Sequence, residues 1–139
     1  MMTETSTEAS PSTGDTVLSL GLHPSAVDLS RHPEITQEML ATRIAAGEAA
    51  LREAGFDIVP CQVPADLDEA EKRVRECLAA RPVQVVMIGA GLRMAAEHTL
   101  LFERVLNLLN ELVPGIVFCF NTSPDTTIDA VRRGARPSH

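Results

Sequence analysis

The chain has 139 residues, of which 45% are hydrophobic and 22% charged, and its formal net charge is -7 at pH 7. The length fits one domain, and the apolar fraction is high enough for a core, which excludes a wholly disordered chain. Nineteen acidic residues against twelve basic ones argue against nucleic acids and anionic membranes as partners, because both require a basic surface. Four phenylalanines are the only aromatic residues, so the core is expected to be aliphatic and base stacking is disfavoured.

Both ends of the chain are predicted to lie outside the folded domain. Residues 1–15 are rich in Thr, Ser and acidic side chains and contain no basic residue, which predicts a disordered acidic tail. This segment lacks the basic start and apolar run of a secretory signal, and no stretch of the chain is apolar enough for a membrane span. A single α/β domain is therefore predicted over 16–135, followed by a frayed C-terminus at 136–139.

The cysteines give no sign of a metal site. Cys61, Cys77 and Cys119 are far apart in the sequence and form no C-x-x-C pair, which disfavours structural zinc. We predict no metal and no cofactor, and we expect a cytoplasmic location, where thiols stay reduced.

Apolar runs alternate with helical stripes along the domain. Strands are predicted at 16–21, 56–63, 83–88 and 116–120, and helices at 35–54, 66–80, 97–113 and after Ser123. Strands that alternate with helices form parallel sheets through right-handed crossovers, and fully apolar strands fit a sheet covered on both faces. Pro60 lacks a ladder donor, which places the second strand at an edge. The expected fold is a three-layer α/β/α arrangement with a four-stranded parallel sheet in the order 2-1-3-4, half-Rossmann or flavodoxin-like.

One glycine interrupts the apolar stripe of the first predicted helix. Gly47 lies between Ile44 and Leu51 on this stripe, where glycine lowers helix stability. We therefore expect this helix to approach the sheet closely at Gly47.

The loop after the first strand is expected to border a ligand site. In open parallel sheets, ligands bind outside the carboxyl ends of the strands where the strand order reverses, here between the first and third strands. The loop Gly21–Glu34 is longer than the roughly 2–6 residues that are usual for such connections. His23 at its base is a candidate general acid or base, with Asp28 as an orienting partner, and His98 after the third strand is a second candidate. The alternative for His23, and the favoured role for His32, is a loop histidine bonded locally.

A glycine-rich turn follows the third strand. Gly89 and Gly91 allow a ligand to approach the backbone closely, but Met94 replaces the third glycine of a dinucleotide fingerprint. Arg93 leaves the strand beside this turn, which is a suitable place to bind a carboxylate or phosphate with two hydrogen bonds. The alternative for Arg93 is a surface ion pair with Glu97.

Polar residues also follow the fourth strand. Asn121, Thr122 and Ser123 precede a predicted helix N-terminus, whose free N–H groups suit an anion. Ordinary capping by Ser123, with Asp125 favoured by the helix dipole, is the alternative. This alternative accounts less well for Asn121 and Thr122.

The helix at 98–113 is apolar over most of its circumference. The residues expected to face the sheet are Leu100, Leu101, Val105, Leu108 and Leu112, and those expected to form a second apolar row are Phe102, Leu106, Leu109 and Val113. A peripheral helix needs only one apolar stripe, so the second row predicts a homodimer through helix 98–113. The alternative is that the last helix and the C-terminal tail cover this row.

The expected function is that of an enzyme or binding protein for a small anionic metabolite, with its site at the carboxyl ends of strands 1, 3 and 4. The candidate catalytic residues are His23 and His98, and the candidate ligand-binding residues are Gly89, Gly91, Arg93, Asn121, Thr122 and Ser123. The alternative is a non-catalytic homodimeric binding or regulatory module. A phosphoacceptor receiver domain is disfavoured because the strand ends lack its aspartates, and a flavin site is disfavoured because the chain has no Trp or Tyr.

Overall fold

A computed structural model describes residues 14–136, in which strands and helices alternate. The strands are β1 (Thr16–Leu22), β2 (Asp57–Val63), β3 (Val85–Ile88) and β4 (Val117–Phe120). The helices are α1 (Gln37–Glu53), α2 (Leu67–Ala80), α3 (Ala90–Arg93), α4 (Thr99–Leu112) and α5 (Thr127–Gly134), and short 3-10 turns lie at Pro24–Ala26, Ala96–His98 and Pro124–Thr126. Most of the predicted tail (1–13) and of the predicted frayed end (137–139) lies outside the described residues. Among the described helices, none has both the length and the apolar character needed to cross a bilayer.

The four strands form one parallel sheet in the order β2-β1-β3-β4, which confirms the predicted order and the three-layer α/β fold. In β1, Leu18 lies opposite Val59 of β2 on one side and Val86 of β3 on the other. Strand β2 is an edge strand, as the proline at position 60 predicts. The carboxyl ends of β1 and β3 are therefore neighbours, and the chain segments that follow them meet at one end of the sheet.

Two apolar cores cover the two faces of the sheet, because side chains alternate along each strand. On one face, Leu18 and Leu20 of β1 pack with residues of α2 and α4, including Val74 and Val105. On the other face, Val17 belongs to a smaller core with residues from α1 and α5. Helices α1 and α5 therefore share one side of the sheet, and α1 covers the end of β1.

Gly47 permits a close approach of α1, but not to the sheet as predicted. A Cβ atom at this position would lie 3.1 Å from the carbonyl oxygen of Pro124 and 3.5 Å from Oγ1 of Thr127. The glycine therefore accommodates the turn that precedes α5. The predicted close approach was correct, but the predicted partner was wrong, because the tertiary fold decides which element packs against a helix.

Helix α4 is less widely buried than predicted. Leu101 and Val105 are buried as expected, but Leu100, which was expected to face the sheet, is 67% exposed, and Leu112 is 37% exposed. Neighbouring helical residues differ by about 100° in direction, so a helix that centres Leu101 on the sheet turns Leu100 towards solvent. Helix α5 packs on the opposite face, so it does not cover the second apolar row of α4.

The two ends of the described chain are joined. The N–H of Asp15 donates to the carbonyl oxygen of Arg136 at 3.0 Å, and Nη2 of Arg136 lies 3.3 Å from Oδ1 of Asp15. Both residues were assigned to the polar ends of the chain, and these hydrogen bonds join the two ends next to β1 and α5. The domain bounds of 16–135 stay a prediction.

Candidate functional site

A cavity of about 110 Å³ lies at the carboxyl ends of β1 and β3, beneath α1. The strands contribute Ser19, Leu20 and Met87 to its lining, and α1 contributes Leu40, Ile44 and Glu48. We call this space the inner cavity. It occupies the crevice that the reversal of strand order predicts.

A second, more open depression of about 400 Å³ lies between the loop after β1 and the segment after β3, and we call it the outer groove. Its charged and titratable lining residues are Asp28, Arg31, His32, Glu97 and His98. Val27, Ala90 and Gly91 line both spaces. The inner cavity and the outer groove therefore adjoin one another, and we refer to the two together as the cleft.

The predicted glycines lie where these two parts meet. Gly89 lines the inner cavity, and its N–H donates to the carbonyl oxygen of Leu20 at 2.9 Å. A Cβ atom on Gly91 would lie 3.7 Å from Cγ2 of Val27, which is an ordinary contact distance. Packing alone therefore does not require glycine at position 91, and the missing side chain leaves more space where cavity and groove adjoin.

His23 lies outside both parts of the cleft. Its Nδ1 accepts the N–H of Ser25 at 3.1 Å and lies 2.8 Å from the Ser25 hydroxyl, so the imidazole caps the 3-10 turn that follows. The expected pair with Asp28 does not form, because Asp28 accepts the N–H of Ser30 at 2.9 Å instead. Hydrogen bonds from Ser30 hold the pKa of the Asp28 carboxyl below its usual range, with a smaller contribution from the charge of Arg31.

The outer groove contains the second candidate, His98, and two basic residues of the loop after β1. His32 was expected to be a locally bonded loop residue, and its Nδ1 does lie 3.8 Å from the carboxylate of Glu34. Arg31 is a lining residue that the sequence-based reasoning did not select. The sequence could have indicated Arg31, because it is the only Lys or Arg in the loop Gly21–Glu34.

Arg93 points away from the cleft. Its Nη2 donates to the carbonyl oxygen of Asn121 at 2.9 Å, and its guanidinium carbon lies 5.4 Å from the centre of the Phe120 ring. Its Nε is the one buried side-chain nitrogen or oxygen of the described residues without a hydrogen-bond partner. Arg93 thus holds the end of β4, no ion pair with Glu97 forms within residues 14–136, and anion binding by Arg93 stays a prediction.

Asn121 borders the inner cavity with its side chain fully engaged. The residue is 5% exposed; its Oδ1 accepts the N–H of Ala90 at 2.8 Å, and its Nδ2 donates to Oγ1 of Thr127 at 2.9 Å. One amide therefore joins the end of β4 to the segment after β3 and to the first residue of α5. The geometry indicates a role in shaping the cleft.

The turn after Asn121 satisfies its own N–H groups. The hydroxyl of Thr126 accepts the N–H of Thr122 at 2.9 Å and that of Ser123 at 3.2 Å, and it lies 3.1 Å from the Ser123 carbonyl oxygen. Neither Thr122 nor Ser123 lines the inner cavity or the outer groove. The N–H groups of Thr122 and Ser123 are therefore already bonded, and anion binding at this turn stays a prediction.

Glu48 lines the inner cavity as a half-buried carboxyl, and the sequence did not lead us to predict it as a site residue. The Ser19 hydroxyl donates to Oε2 of Glu48 at 3.2 Å. Burial raises the pKa of the Glu48 carboxyl, while the Ser19 hydrogen bond and the charge of Arg52 lower it by less. Two signals were available: Ser19 interrupts an apolar strand, and Glu48 follows Ile44 by four residues on the inward side of α1.

The thiols and the acidic side chains give no second reactive centre. Cys61, Cys77 and Cys119 are all buried and free. Burial raises the pKa of the Cys119 thiol to about 11 and raises that of Cys61 as well, which disfavours both as nucleophiles. Within residues 14–136, no group of three or more His, Cys, Asp or Glu side chains is placed to hold a metal ion.

The structure divides the predicted site residues into two groups. Those that line the cleft are Gly89, Gly91, His98 and Asn121, and those that lie outside it are His23, Arg93, Thr122 and Ser123. Comparison with protein-family models, with curated proteins and with solved structures finds no match for this chain. Its function is therefore inferred from the chemistry of the cleft.

We expect Asn121→Ala to lower the free energy of unfolding by about 2–3 kcal/mol, because it leaves the Ala90 N–H without its partner and removes the bond to Thr127. Thr122→Ala, one position along at an exposed site, is the control and should change stability by no more than about 0.5 kcal/mol. Urea unfolding followed by circular dichroism measures both. Equal stability of the two variants would contradict the linking role of Asn121.

Glu48→Gln tests the raised pKa. A carboxyl whose pKa is higher in the folded state binds more protons there, so wild-type stability should fall, relative to the variant, as the pH rises above the ordinary glutamate pKa. Glu53→Gln, at an exposed position of the same helix, is the control and should follow the wild type at every pH. Free energies of unfolding from about pH 4 to about pH 8 decide the matter; a difference between wild type and Glu48→Gln that stays constant with pH would contradict the shift.

Proposed function

We propose that the protein binds a small metabolite carrying an anionic group, in the cleft formed by the inner cavity and the outer groove. The observation that carries the proposal is that an apolar cavity adjoins, through three shared lining residues, a groove that contains Arg31, His32 and His98. The position supports it, since half-Rossmann and flavodoxin-like sheets bind ligands where the strand order reverses. An apolar part of the ligand would occupy the cavity, and its anionic group would lie in the groove.

The groove contains charges of both signs. Arg31 is its fixed cation, and Asp28 and Glu97 carry opposing charges. An anion in the groove would therefore be bound through direct hydrogen bonds, of which those from the Arg31 guanidinium are the strongest, and not through the net charge of the groove.

His98 is the acid–base candidate that the cleft retains, since His23 lies outside it. A proton transfer to or from a ligand in the groove would use its imidazole. Ligand binding is the function that we propose here, and a catalytic role of His98 stays a prediction.

Anion binding is tested by thermal unfolding with phosphate, succinate and a nucleotide. We expect these anions to raise the Tm of the wild type, because a ligand that binds only the folded state stabilises it. Arg31→Ala should abolish the increase, whereas Arg132→Ala, outside the cleft on α5, should retain it. Loss of the increase in Arg93→Ala but not in Arg31→Ala would instead assign the anion to Arg93. If no anion raises the Tm of the wild type, the proposed function is wrong.

Dimerisation through α4 is a second candidate, favoured by one surface of the fold. Strand β4 is an edge of the sheet within residues 14–136, and five apolar side chains of α4 and β4 pack on the core while remaining partly exposed, with the rings of Phe102 and Phe120 6.2 Å apart. These are Phe102, Leu106 and Val113 from the α4 segment and Phe118 and Phe120 from β4. An apolar row of this kind at a sheet edge suits a two-fold contact between copies. Such a dimer would fit the alternative function, a homodimeric binding or regulatory module that catalyses no reaction.

Light scattering after size exclusion tests the dimer. The wild type should have about twice the 15.0 kDa mass of one chain. Leu106→Glu should give a monomer, because it places a charge in the partly exposed row, and Leu100→Glu, on another side of α4, should leave the dimer intact. Circular dichroism confirms that both variants fold. A monomeric wild type at micromolar concentration would remove this candidate.

We also infer a reducing compartment such as the cytoplasm. The three cysteines are free and buried in the described domain, and no disulfide contributes to its stability. Proteins of reducing compartments commonly keep such thiols as small apolar core residues.

A further inference from the structure

Glu48 is the one Asp, Glu, Lys, Arg or His among the described residues that line the inner cavity. Around it the lining is mainly apolar, with Leu20, Leu40, Ile44 and Met87 as its larger members. A carboxylate in such surroundings is costly unless it is paired and hydrogen-bonded. The free energy of the Glu48 carboxylate in the cavity therefore depends on whether it has a hydrogen-bonding or cationic partner there.

The protein itself supplies little of that pairing. A carboxylate offers about four acceptor positions, and within residues 14–136 Glu48 receives one hydrogen bond, from Ser19 at 3.2 Å. Arg52 acts on the carboxyl only through its charge, from a side chain that is itself exposed. The nearby amide of Asn121 is already bonded to Ala90 and Thr127. Most of the acceptor capacity of the Glu48 carboxylate is therefore not used by the described residues.

Taking the proposed function as its premise, we propose that Glu48 binds an ammonium group of the metabolite, whose anionic group lies in the outer groove. The ligand class is then a small zwitterion with a short hydrocarbon between its two charges. Ionic hydrogen bonds to a carboxylate are about twice as strong as neutral ones, and an ammonium group brings three donors. Glu48 and Ser19 can accept two of these donors at the inner end of the cleft.

The size of the cavity limits the buried part of the ligand. Its volume of about 110 Å³ is smaller than the roughly 150 Å³ of an apolar protein cavity that holds benzene. An ammonium group with a short chain of methylene groups fits this space, whereas a nucleobase or a flavin ring does not. A carboxylate placed there would face Glu48 with the same charge and is disfavoured.

The experiment compares ω-amino acids, from glycine to 6-aminohexanoate, with the carboxylates of equal chain length that lack the amine. Binding to the wild type, Glu48→Gln and Arg31→Ala is measured by calorimetry at one pH and one ionic strength. Glutamine keeps the size of the side chain and its hydrogen bond to Ser19 while removing the charge. Glu53→Gln, exposed on the same helix, is the matched control.

We expect the wild type to bind at least one ω-amino acid about tenfold more tightly than its matched carboxylate, since one charge-assisted hydrogen bond accounts for such a factor. Glu48→Gln should remove this preference while leaving the affinity for the carboxylate unchanged. Arg31→Ala should weaken the binding of both compounds, and Glu53→Gln should behave as the wild type.

The failures of the two proposals are distinguishable. If carboxylates bind and depend on Arg31, but no ω-amino acid binds more tightly than its carboxylate, the role of Glu48 is wrong and the proposed function stands. The same conclusion follows if a preference for the amine survives in Glu48→Gln. If no compound of either series and none of the inorganic or nucleotide anions binds the wild type, the proposed function itself fails and the ammonium site fails with it.

Discussion

The cleft depends on a single buried amide, that of Asn121. Its oxygen takes the N–H of Ala90 from the segment after β3, and its nitrogen reaches the hydroxyl of Thr127 at the start of α5. The Asn121 carbonyl in turn accepts a hydrogen bond from Arg93. Parallel strands leave the chain free at their carboxyl ends, so the shape there has to be set by such side-chain bonds. Here one residue sets the relative position of both segments.

That arrangement also explains why α1 lies where it does. Thr127, held by Asn121, and the preceding Pro124 form the surface against which Gly47 packs. The close approach at Gly47 brings the next residue, Glu48, over the end of β1 and within 3.2 Å of the Ser19 hydroxyl. The position of the Glu48 carboxyl in the inner cavity therefore follows from the hydrogen bond between the Asn121 amide and Thr127.

The fold was predictable because its signals are local. Apolar runs and helical stripes mark the elements, and Pro60 marks the edge strand, so the order β2-β1-β3-β4 follows from the chain itself. The place of the cleft was predictable for the same reason, since it depends on the strand order alone. Of the predicted site residues, Gly89, Gly91, His98 and Asn121 line the cleft, and their roles stay predictions.

Side-chain partners were not predictable, because several local and distant groups compete for each side chain. His23 bonds to Ser25 two residues away, and Arg93 finds a carbonyl and an aromatic ring that only the tertiary fold brings near. Glu48 was missed for the opposite reason. A glutamate on a helix is usually solvated, and its inward position acquires meaning only when the apolar neighbours Leu40 and Ile44 are known to line a cavity.

The charge balance of the whole chain bears on what the cleft can select. A protein with a net charge of -7 repels anions at long range, so an anionic ligand must be recognised by groups at short range. Arg31 supplies one such group in the outer groove, but two carboxylates beside it reduce its effect. A zwitterion avoids this conflict, because it carries no net charge to be repelled and can place each of its charges beside an opposite one. On the proposal made above, Arg31 in the groove and Glu48 in the adjoining cavity would each face the opposite charge of such a ligand.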